Sequence, residues 1–406
     1  MNETVRLIIH SFGPLSEVDI VFDKYTLLTG KQASGKSTIA KLYSMFTWME
    51  KGMVRGIVSD KYIMQYSRFQ NKYCAYHRLE TYFNKDTFIS FYGLHYNFTY
   101  EKGKLKIDEI DHKITYNVAK VMYVPAERNY LSTTDNTSGL KNLPESLQTF
   151  LEEFDNAKLT LKNGYRLPIN NMVFEYDALN KIPWLKGNDY EVRLSAASSG
   201  YQSVLPLTLV TKYLSDTVLD NAGKKDLDQQ ERQQIDKEVK KVMNDTTLSE
   251  DVKFAMLRSI SSRFKYSRFV NIVEEPEQNL YPESQMNVLY DLLAYVNCME
   301  HNRLVLTTHS PYIVNYFTLA AKAYELYYRL PVTNALRGRV SEIVSEQSMV
   351  NPFKLHIYEL KDGAAALLAM YDGLPSDDNF LNNQLALTNE MFDRLLEIEE
   401  TFDNQE

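Results

Sequence analysis

The loop at residues 30–38 carries the clearest chemical signal in the sequence. It matches the pattern G-x-x-x-x-G-K-[ST], with a short apolar strand before it and helical periodicity after it. Glycines let the backbone N–H groups turn toward a phosphate, and the helix N-terminus adds a favourable dipole. Lys36 would reach the β- and γ-phosphates, and the Ser37 hydroxyl would bind Mg²⁺. The sequence therefore predicts an ATP and Mg²⁺ site, with these nucleotide-binding residues: Gly30, Lys31, Gln32, Ala33, Ser34, Gly35, Lys36, Ser37 and Thr38.

A second signal is an apolar strand that ends in carboxylates. It runs from Phe269 into Glu274 and Glu275, and Glu277 follows closely. Ligands of α/β sheets bind beyond the carboxyl ends of the strands. Glu274 would hold Mg²⁺ through water, and Glu275 would orient and polarise the attacking water. Alone, the pattern fits an acidic surface turn equally well, but the upstream P-loop favours the catalytic interpretation.

Two weaker signals accompany these. His309 follows a third apolar strand, where an imidazole can hydrogen-bond the γ-phosphate or the water. Alone it would count as an ordinary surface or core histidine, and its position after the acidic strand favours a catalytic role. Ser198, Ser199 and Gly200 precede a helix, whose N-terminus suits an anion. On its own, that pattern is better explained by a plain helix cap.

The elements that must position these residues follow from periodicity. Strands are predicted at 5–10, 17–22, 25–29, 88–91, 96–100, 105–107, 121–124, 269–275 and 303–308. Helices are predicted at about 39–50, 203–214, 220–241 and 249–263. Residues 131–190 show mostly turn and helix signals, and the end of the chain, from about Glu397, is expected to fray.

Composition limits the class of protein. The 406 residues are 44% hydrophobic and 24% charged, which is typical of a globular protein. The sequence has no apolar run of the roughly 20 residues that a spanning helix needs, and no signal pattern, so we expect a cytoplasmic protein without a membrane partner. The two cysteines, Cys74 and Cys298, are too far apart to suggest a zinc site. The net charge of -8 argues against coating nucleic acid by bulk electrostatics, though a local basic groove stays possible.

The four motifs occur in an order that resembles the ATP-binding cassette (ABC) ATPase heads of the SMC, Rad50, RecF and overcoming-lysogenization-defect (OLD) type. The motif sequences are most similar to those of the stand-alone OLD-like branch. The similarity lies in the runs Glu274–Glu277 and Leu280–Pro282, the opening Ser11–Pro14 and the segment Val121–Asn129. The resemblance implies an α/β P-loop NTPase fold with a mixed sheet core, a β-rich N-terminal lobe and helical insertions.

The resemblance also implies a division of the chain and of its roles. A single ATPase domain, 1–406, would contain a β-rich insert at 50–118, a helical lobe at 131–265 with a charged arm at about 215–263, and a final part at 266–406. Glu274 would be the Mg²⁺-side acid, Glu275 the catalytic acid and His309 the switch histidine. Ser198, Ser199 and Gly200 would be the signature that contacts the γ-phosphate of ATP held by the other subunit.

Some positions depart from the family pattern. Ala33 replaces a common glycine, and Tyr281 replaces the histidine of Leu-His-Pro. Glu127 or Asn129 would fill the Q-loop role, although neither is a glutamine. About 90 residues follow His309, and they lack the clustered acids of a Toprim nuclease. The chain is therefore expected to have no nuclease of its own.

One P-loop and one signature per chain imply a homodimer, or a higher oligomer of dimers, that ATP closes and hydrolysis reopens. The first hypothesis is an ATPase that senses for, or scaffolds, a separate nuclease or toxin effector in bacterial anti-phage defence. The alternative is a DNA-repair ATPase of RecF or Rad50 type. Its candidate DNA-binding cations are Arg258, Arg263, Lys265 and Arg268. A third possibility is an ATP-binding scaffold with very slow turnover.

Overall fold

The computed structural model describes residues 4–111, 116–222, 229–262 and 265–403. Its strands are β1 Val5–Phe12, β2 Leu15–Phe22, β3 Tyr25–Gly30, β4 Phe88–Tyr92, β5 Tyr96–Glu101, β6 Lys104–Glu109, β7 Ala119–Val124, β8 Tyr165–Arg166, β9 Val173–Asp177, β10 Ile182–Lys186, β11 Glu191–Arg193, β12 Arg268–Glu274, β13 Arg303–Thr308, β14 Leu355–Lys361, β15 Ala364–Leu367, β16 Met370–Tyr371 and β17 Leu374–Pro375.

The helices alternate with these strands. They are α1 Lys36–Val54, α2 Asp60–Ile63, α3 Glu145–Thr160, α4 Ser199–Ala222, α5 Gln229–Asn244, α6 Glu250–Ser262, α7 Pro282–Asn297, α8 Pro311–Arg329, α9 Leu336–Ile343 and α10 Phe380–Asp403. Each predicted strand and helix has a counterpart, and most ends agree within a few residues. The helix predicted at 203–214 is longer, at Ser199–Ala222, and the one predicted at 220–241 corresponds to Gln229–Asn244, while residues 223–228 and 263 lie outside the described part of the chain.

Eleven strands form one mixed sheet in the order β6-β5-β4-β1-β2-β15-β14-β3-β13-β12-β7. The strands from β14 to β7 are parallel to one another. The strands from β6 to β2 are antiparallel, and β15 joins the two halves. This confirms the α/β class with a mixed sheet and a β-rich N-terminal part.

The parallel half of the sheet determines where the site lies. Because parallel strands point the same way, the carboxyl ends of β3, β13, β12 and β7 meet at one edge. The P-loop, His309, the acidic pair and the segment from Pro125 therefore all leave the sheet at that edge. Strands β3, β12 and β13 are buried along their whole length, as expected for strands covered on both faces.

Side chains on the two faces of the sheet belong to separate hydrophobic cores. On β13, Leu304 and Leu306 pack with α4, α7 and α8, whereas Val305 packs with α1. Alternate residues of a strand point to opposite faces, so one strand contributes to both cores. The two cores hold the loops at the strand ends in a fixed register.

Two regions differ from the sequence prediction. Residues 131–190, expected to hold mostly turns and helices, include α3 but also most of a four-stranded antiparallel sheet in the order β11-β10-β9-β8. Its strands are short and β10 contains Pro183, so alternation is weak. The C-terminal residues do not fray from Glu397, because α10 continues to Asp403.

Helix α10 buries little of its own surface. The N-terminal end of the helix packs near the P-loop, where the Lys31 ammonium lies 5.2 Å from the Phe380 ring centre. Within α10, Leu381 is the buried residue. Beyond that residue one side of the helix is apolar and exposed, at Leu385, Met391, Phe392, Leu395, Ile398 and Phe402. No helix in the described part of the chain is both long and apolar enough to span a bilayer.

Candidate nucleotide site

The P-loop has backbone angles that restrict its sequence. Gly30 has φ of 140°, and a Cβ there would lie 2.4 Å from the Leu360 carbonyl oxygen of the neighbouring strand. Gly35 has φ of 99°, and a Cβ there would lie 2.2 Å from Leu15 Cδ2. Both positions therefore require glycine. Ala33 has φ of 60°, a left-handed conformation that costs a side chain about 1 kcal/mol and that the usual glycine would adopt freely.

Lys36 begins α1 and is held at the centre of the loop. Its Nζ donates to the carbonyl oxygens of Gly30 and Lys31, at 2.8 Å each, and lies 3.4 Å from His309 Nδ1. Burial lowers the pKa of Lys36 to about 8, although the carboxylates of Glu275, Glu277 and Glu274 oppose the shift. The amine is thus poised among carbonyls that a phosphate would displace.

The remaining P-loop residues surround this amine. Lys31, Gln32 and Ala33 are exposed at the tip of the loop, whereas Ser34 and Ser37 are half-buried and Thr38 is buried on α1. The Ser34 N–H donates to the Lys31 carbonyl oxygen at 3.3 Å, which closes the turn.

Glu275 and His309 form a pair at the same edge. Glu275 Oε1 lies 3.4 Å from His309 Nε2, and the hydrogen bond from His309 lowers the pKa of Glu275. Glu275 has φ of 45°, which is unusual for a residue with a side chain and is a form of strain that clusters at functional sites. Its backbone N–H donates to the Thr307 carbonyl oxygen at 2.9 Å, so the turn is anchored to β13. One imidazole thus lies between the P-loop lysine and the second acid.

Glu277 fixes the strand end that carries the histidine. Its Oε1 accepts from the Thr308 hydroxyl and from the His309 N–H, each at 2.7 Å. Burial raises the pKa of Glu277, and its Oε2 is buried without a hydrogen-bond partner among the described residues. The sequence analysis gave Glu277 no role of its own. The signal that could have found it is a third acid two residues after the catalytic one.

Glu274 has a free oxygen where a cation would be needed. Its Oε2 accepts from the Ala126 N–H at 3.2 Å, while its buried Oε1 has no hydrogen-bond partner in the described ranges. Those ranges contain no cluster of three or more His, Cys, Asp or Glu side chains suited to a metal. Mg²⁺ commonly takes one or two protein ligands, and water and phosphate oxygens complete its coordination. Glu274 and Ser37 are the residues that would hold it, and the ion would neutralise phosphate charge.

Arg128 is the functional residue that the sequence analysis missed. The side chain is fully buried and donates to the carbonyl oxygens of Glu274 and Glu275, both at 2.6 Å. It also donates to the carbonyls of Pro125 at 3.3 Å and Ser203 at 3.1 Å. Burial lowers the pKa of Arg128 to about 10, against the opposing effect of the nearby acids. Arg128 therefore joins the end of β7, the acidic turn and α4.

The signature candidates lie at the start of α4. Ser198 and Ser199 are exposed, and a Cβ at Gly200 would lie 2.9 Å from the Asn279 carbonyl oxygen, just beyond the acidic turn. Within the described residues, no hydrogen bond joins Ser198, Ser199 or Gly200 to the P-loop. The structure thus brings Lys36, Glu275 and His309 together and leaves the signature serines open to solvent.

The two candidates for the Q-loop role follow β7. Glu127 is exposed and Asn129 is half-buried, both on the short helical segment Ala126–Ser132. Tyr281, which replaces the family histidine, is also exposed and contributes to none of the contacts described above.

Among known proteins, the matches to this chain are solved structures. No family profile and no curated protein sequence matches the chain. An SMC head domain from Thermotoga maritima is 11% identical, with a TM-score of 0.34, and the match covers 91% of this chain and 100% of that one. The Smc head from Pyrococcus furiosus, bound to the C-terminal domain of ScpA, is 10% identical, with a TM-score of 0.36, and the match covers 96% of this chain and 100% of that one. RecF is 11% identical, with a TM-score of 0.29, and the match covers 91% of this chain and 99% of that one.

The assignment of the fold rests on the sheet order and the P-loop geometry, since these identities and scores are low. Strand β3, the phosphate-type loop and α1 form one continuous unit, and the next two strands of the sheet carry the histidine and the acids. In α/β proteins, a loop between a strand and a helix N-terminus at such a sheet edge is a common place for a phosphate-bearing ligand.

Replacing Arg128 by lysine should separate positioning from nucleotide binding. A lysine retains the charge but cannot reach four carbonyls in three segments, so the acidic turn should shift. We expect kcat for ATP hydrolysis to fall by about 10²-fold while the affinity for ATP stays within about threefold. The exposed Arg339 changed to lysine is the matched control. Equal losses of kcat and affinity would contradict a positioning role.

The pKa of Lys36 predicts a pH dependence of nucleotide affinity. With a pKa of about 8 in the free protein, the amine is increasingly neutral above that pH. Phosphates favour the charged form, so binding takes up a proton, and affinity should fall by up to about tenfold per pH unit above pH 8. Calorimetry at pH 7 to 9.5 in buffers of different ionisation enthalpy measures this uptake. In Lys36→Arg the affinity should be flat with pH, and a flat wild-type profile would refute the assignment.

Proposed function

We propose that this protein is an ATP-hydrolysing switch of the ABC type, which closes as a homodimer on ATP and reopens on hydrolysis. The observation that supports it is the convergence of three predicted residues at one sheet edge. His309 lies 3.4 Å from Lys36 on one side and 3.4 Å from Glu275 on the other. Residues from three separate strand ends thus meet where a γ-phosphate and a water would lie.

Each residue has a chemical role in this proposal. Lys36 and the backbone N–H groups of the P-loop bind the phosphates and stabilise the charge that develops on them. Glu275, ionised because its pKa is low, accepts a hydrogen bond from the attacking water and orients it toward the γ-phosphate. His309, held by Glu277, contacts the γ-phosphate, and this contact would affect the position of the end of β13. Glu274 and Ser37 hold the Mg²⁺.

A dimer supplies what a single chain lacks in this proposal. Ser198 and Ser199 are exposed at a helix N-terminus, which is a suitable place for an anion from another molecule. Two chains related by a two-fold axis would each place these serines over the partner's P-loop. Arg128 connects α4 to the acidic turn, so closure would be sensed at Glu275.

We further infer a separate effector protein, of nuclease or toxin type, in a bacterial anti-phage role as in the OLD-like ATPases that the sequence resembles. The exposed apolar side of α10 is the surface assigned to it. The helix carries six carboxylates and one arginine, so two copies of α10 would repel each other. An apolar groove with a basic rim on another protein is the complementary partner.

The DNA-repair alternative receives no support from its candidate cations. Arg268 is buried, Lys265 Nζ is buried, and Arg258 forms an ion pair with Glu152 at 3.6 Å. Arg263 lies outside the described residues. The three described side chains therefore do not form an open basic groove, and DNA binding would need other cations.

Changing Glu275 to glutamine should trap the closed state. Without a carboxylate to orient the water, hydrolysis should fall by about 10²-fold or more, whereas ATP still binds and holds the dimer. Light scattering after size-exclusion chromatography should give a dimer with ATP and a monomer without it. Lys36→Ala should give neither turnover nor ATP-dependent dimer. A monomer at saturating ATP in Glu275→Gln would contradict the switch.

The same measurement separates the effector surface from the dimer contact. The double change Phe392→Glu and Leu395→Glu, made in the Glu275→Gln protein, should leave the ATP-bound dimer intact. Loss of the dimer would instead assign α10 to self-association and remove the effector surface.

A further inference from the structure

A cavity of about 380 Å³ lies between α1, β7, α3 and α6, outside the nucleotide site. That volume is within the range of pockets that hold small ligands, about 300–1,000 Å³. Aromatic rings form much of its wall: Trp48, Tyr73, Tyr76 and Phe254. The Trp48 and Phe254 rings lie 5.0 Å apart and the Tyr73 and Phe254 rings 6.0 Å apart, so the wall is a packed aromatic surface.

One wall of the cavity carries an amine that lacks a partner. Lys51 is 4% exposed, and among the described residues its ammonium makes no hydrogen bond or ion pair. Its contact is with the Tyr266 ring, at 5.6 Å from the ring centre. Burial, followed by the charges of Arg55 and Lys120, lowers the pKa of Lys51. The amine is therefore strained as a cation in the absence of an anion.

The surroundings of Tyr266 are rich in positive charge. Arg55 lies 4.5 Å and Lys120 lies 5.4 Å from the centre of the same ring. Two acids line the cavity, and both are already paired: Glu153 with Lys120 at 2.6 Å, and Glu152 with Arg258 at 3.6 Å. Buried charges are normally paired, because an unpaired charge in a low dielectric is costly. The arrangement is thus completed by an anion beside Lys51.

Other polar groups of the wall also lack partners. Tyr73 Oη and His77 Nδ1 are buried and have no hydrogen-bond partner among the described residues. Buried polar atoms without partners are uncommon in folded proteins and call for a specific explanation. A polar ligand in the cavity, contacted after small side-chain adjustments, provides one.

We propose that this cavity is a second ligand site, which binds a nucleoside monophosphate with its phosphate on Lys51 and its base against Trp48 and Phe254. An aromatic wall suits a planar base, a lysine amine suits a phosphate, and the volume suits a mononucleotide. The proposal concerns binding only, and it does not require that the P-loop hydrolyse ATP.

The site is connected to the P-loop through two elements. Lys51 lies on α1, the helix that begins with Lys36. Tyr123 lines the cavity, and its side chain lies beside the Glu274 carboxylate. A ligand that orders this wall would act on the Mg²⁺-side acid and on the P-loop helix, and by linkage ATP would act on the ligand.

The chain offers a built-in reporter for a binding test. It has two tryptophans, and Trp184 lies outside the cavity on β10. In the Lys36→Ala, Trp184→Phe protein, Trp48 is the only tryptophan and the P-loop is disabled. Its fluorescence would be titrated with adenosine, guanosine, cytidine and uridine monophosphates, with inorganic phosphate, and with the four nucleosides. We expect saturable quenching by at least one monophosphate, and at least tenfold weaker binding of phosphate and of the matching nucleoside.

Lys51→Met, added to that protein, should weaken the binding by at least tenfold while leaving the melting temperature equal or higher, since it removes a buried amine that has no hydrogen-bond or ion-pair partner among the described residues. Lys61→Met, a change of an exposed lysine, should alter neither. The proposal is overturned by the absence of quenching at millimolar monophosphate, or by unchanged binding in Lys51→Met. It is also overturned if phosphate alone binds as tightly as any monophosphate, which would make the site one for a simple anion.

Discussion

The buried guanidinium of Arg128 is the contact on which the geometry of the site depends. A buried charge is tolerated only when hydrogen bonds satisfy it, and Arg128 meets this demand with carbonyl oxygens from three chain segments. Those segments are the end of β7, the turn at Glu274 and Glu275, and α4. Because the fork is rigid, the three cannot move independently, and the left-handed backbone at Glu275 is held in place. In the proposed mechanism, a change in α4 is therefore also a change at Glu275.

A chain of contacts continues from that turn to the P-loop. Glu277 orients the His309 backbone, His309 lies between Glu275 and Lys36, and Lys36 is held by two loop carbonyls. In the proposed switch, this series of contacts couples the P-loop to α4, and α4 to the P-loop. A γ-phosphate would replace the carbonyls around Lys36, and the signature of a second chain would act on α4. The cavity near Lys51 adds a third input, at the far end of the same helix that carries Lys36.

The sequence predicted the parts of this structure whose signals are local. The P-loop, the acids and His309 could be placed at one edge of the sheet because a glycine pattern and apolar strands mark them, and parallel strands necessarily end at one edge. Arg128 and Glu277 were missed because their roles arise from burial and from partners far away in the sequence. The four-stranded sheet that ends at Arg193 was missed because its strands are short and one contains a proline. The burial of Lys51 in the cavity wall could not be predicted either, since in the sequence Lys51 is one more lysine near a helix end.

The central claim is that each active site joins the P-loop of one chain to the signature of another. Mixing two inactive variants, Lys36→Ala and Ser199→Glu, tests it most directly. Ser199 is exposed, so the added carboxylate should leave the fold intact while repelling a partner's phosphate. Each variant alone should be inactive, and an equal mixture should regain ATPase activity, to at most about half of the wild-type value, because only the mixed dimer has an intact site and it has one of the two. No recovery on mixing, or full activity of Ser199→Glu alone, would contradict the composite site.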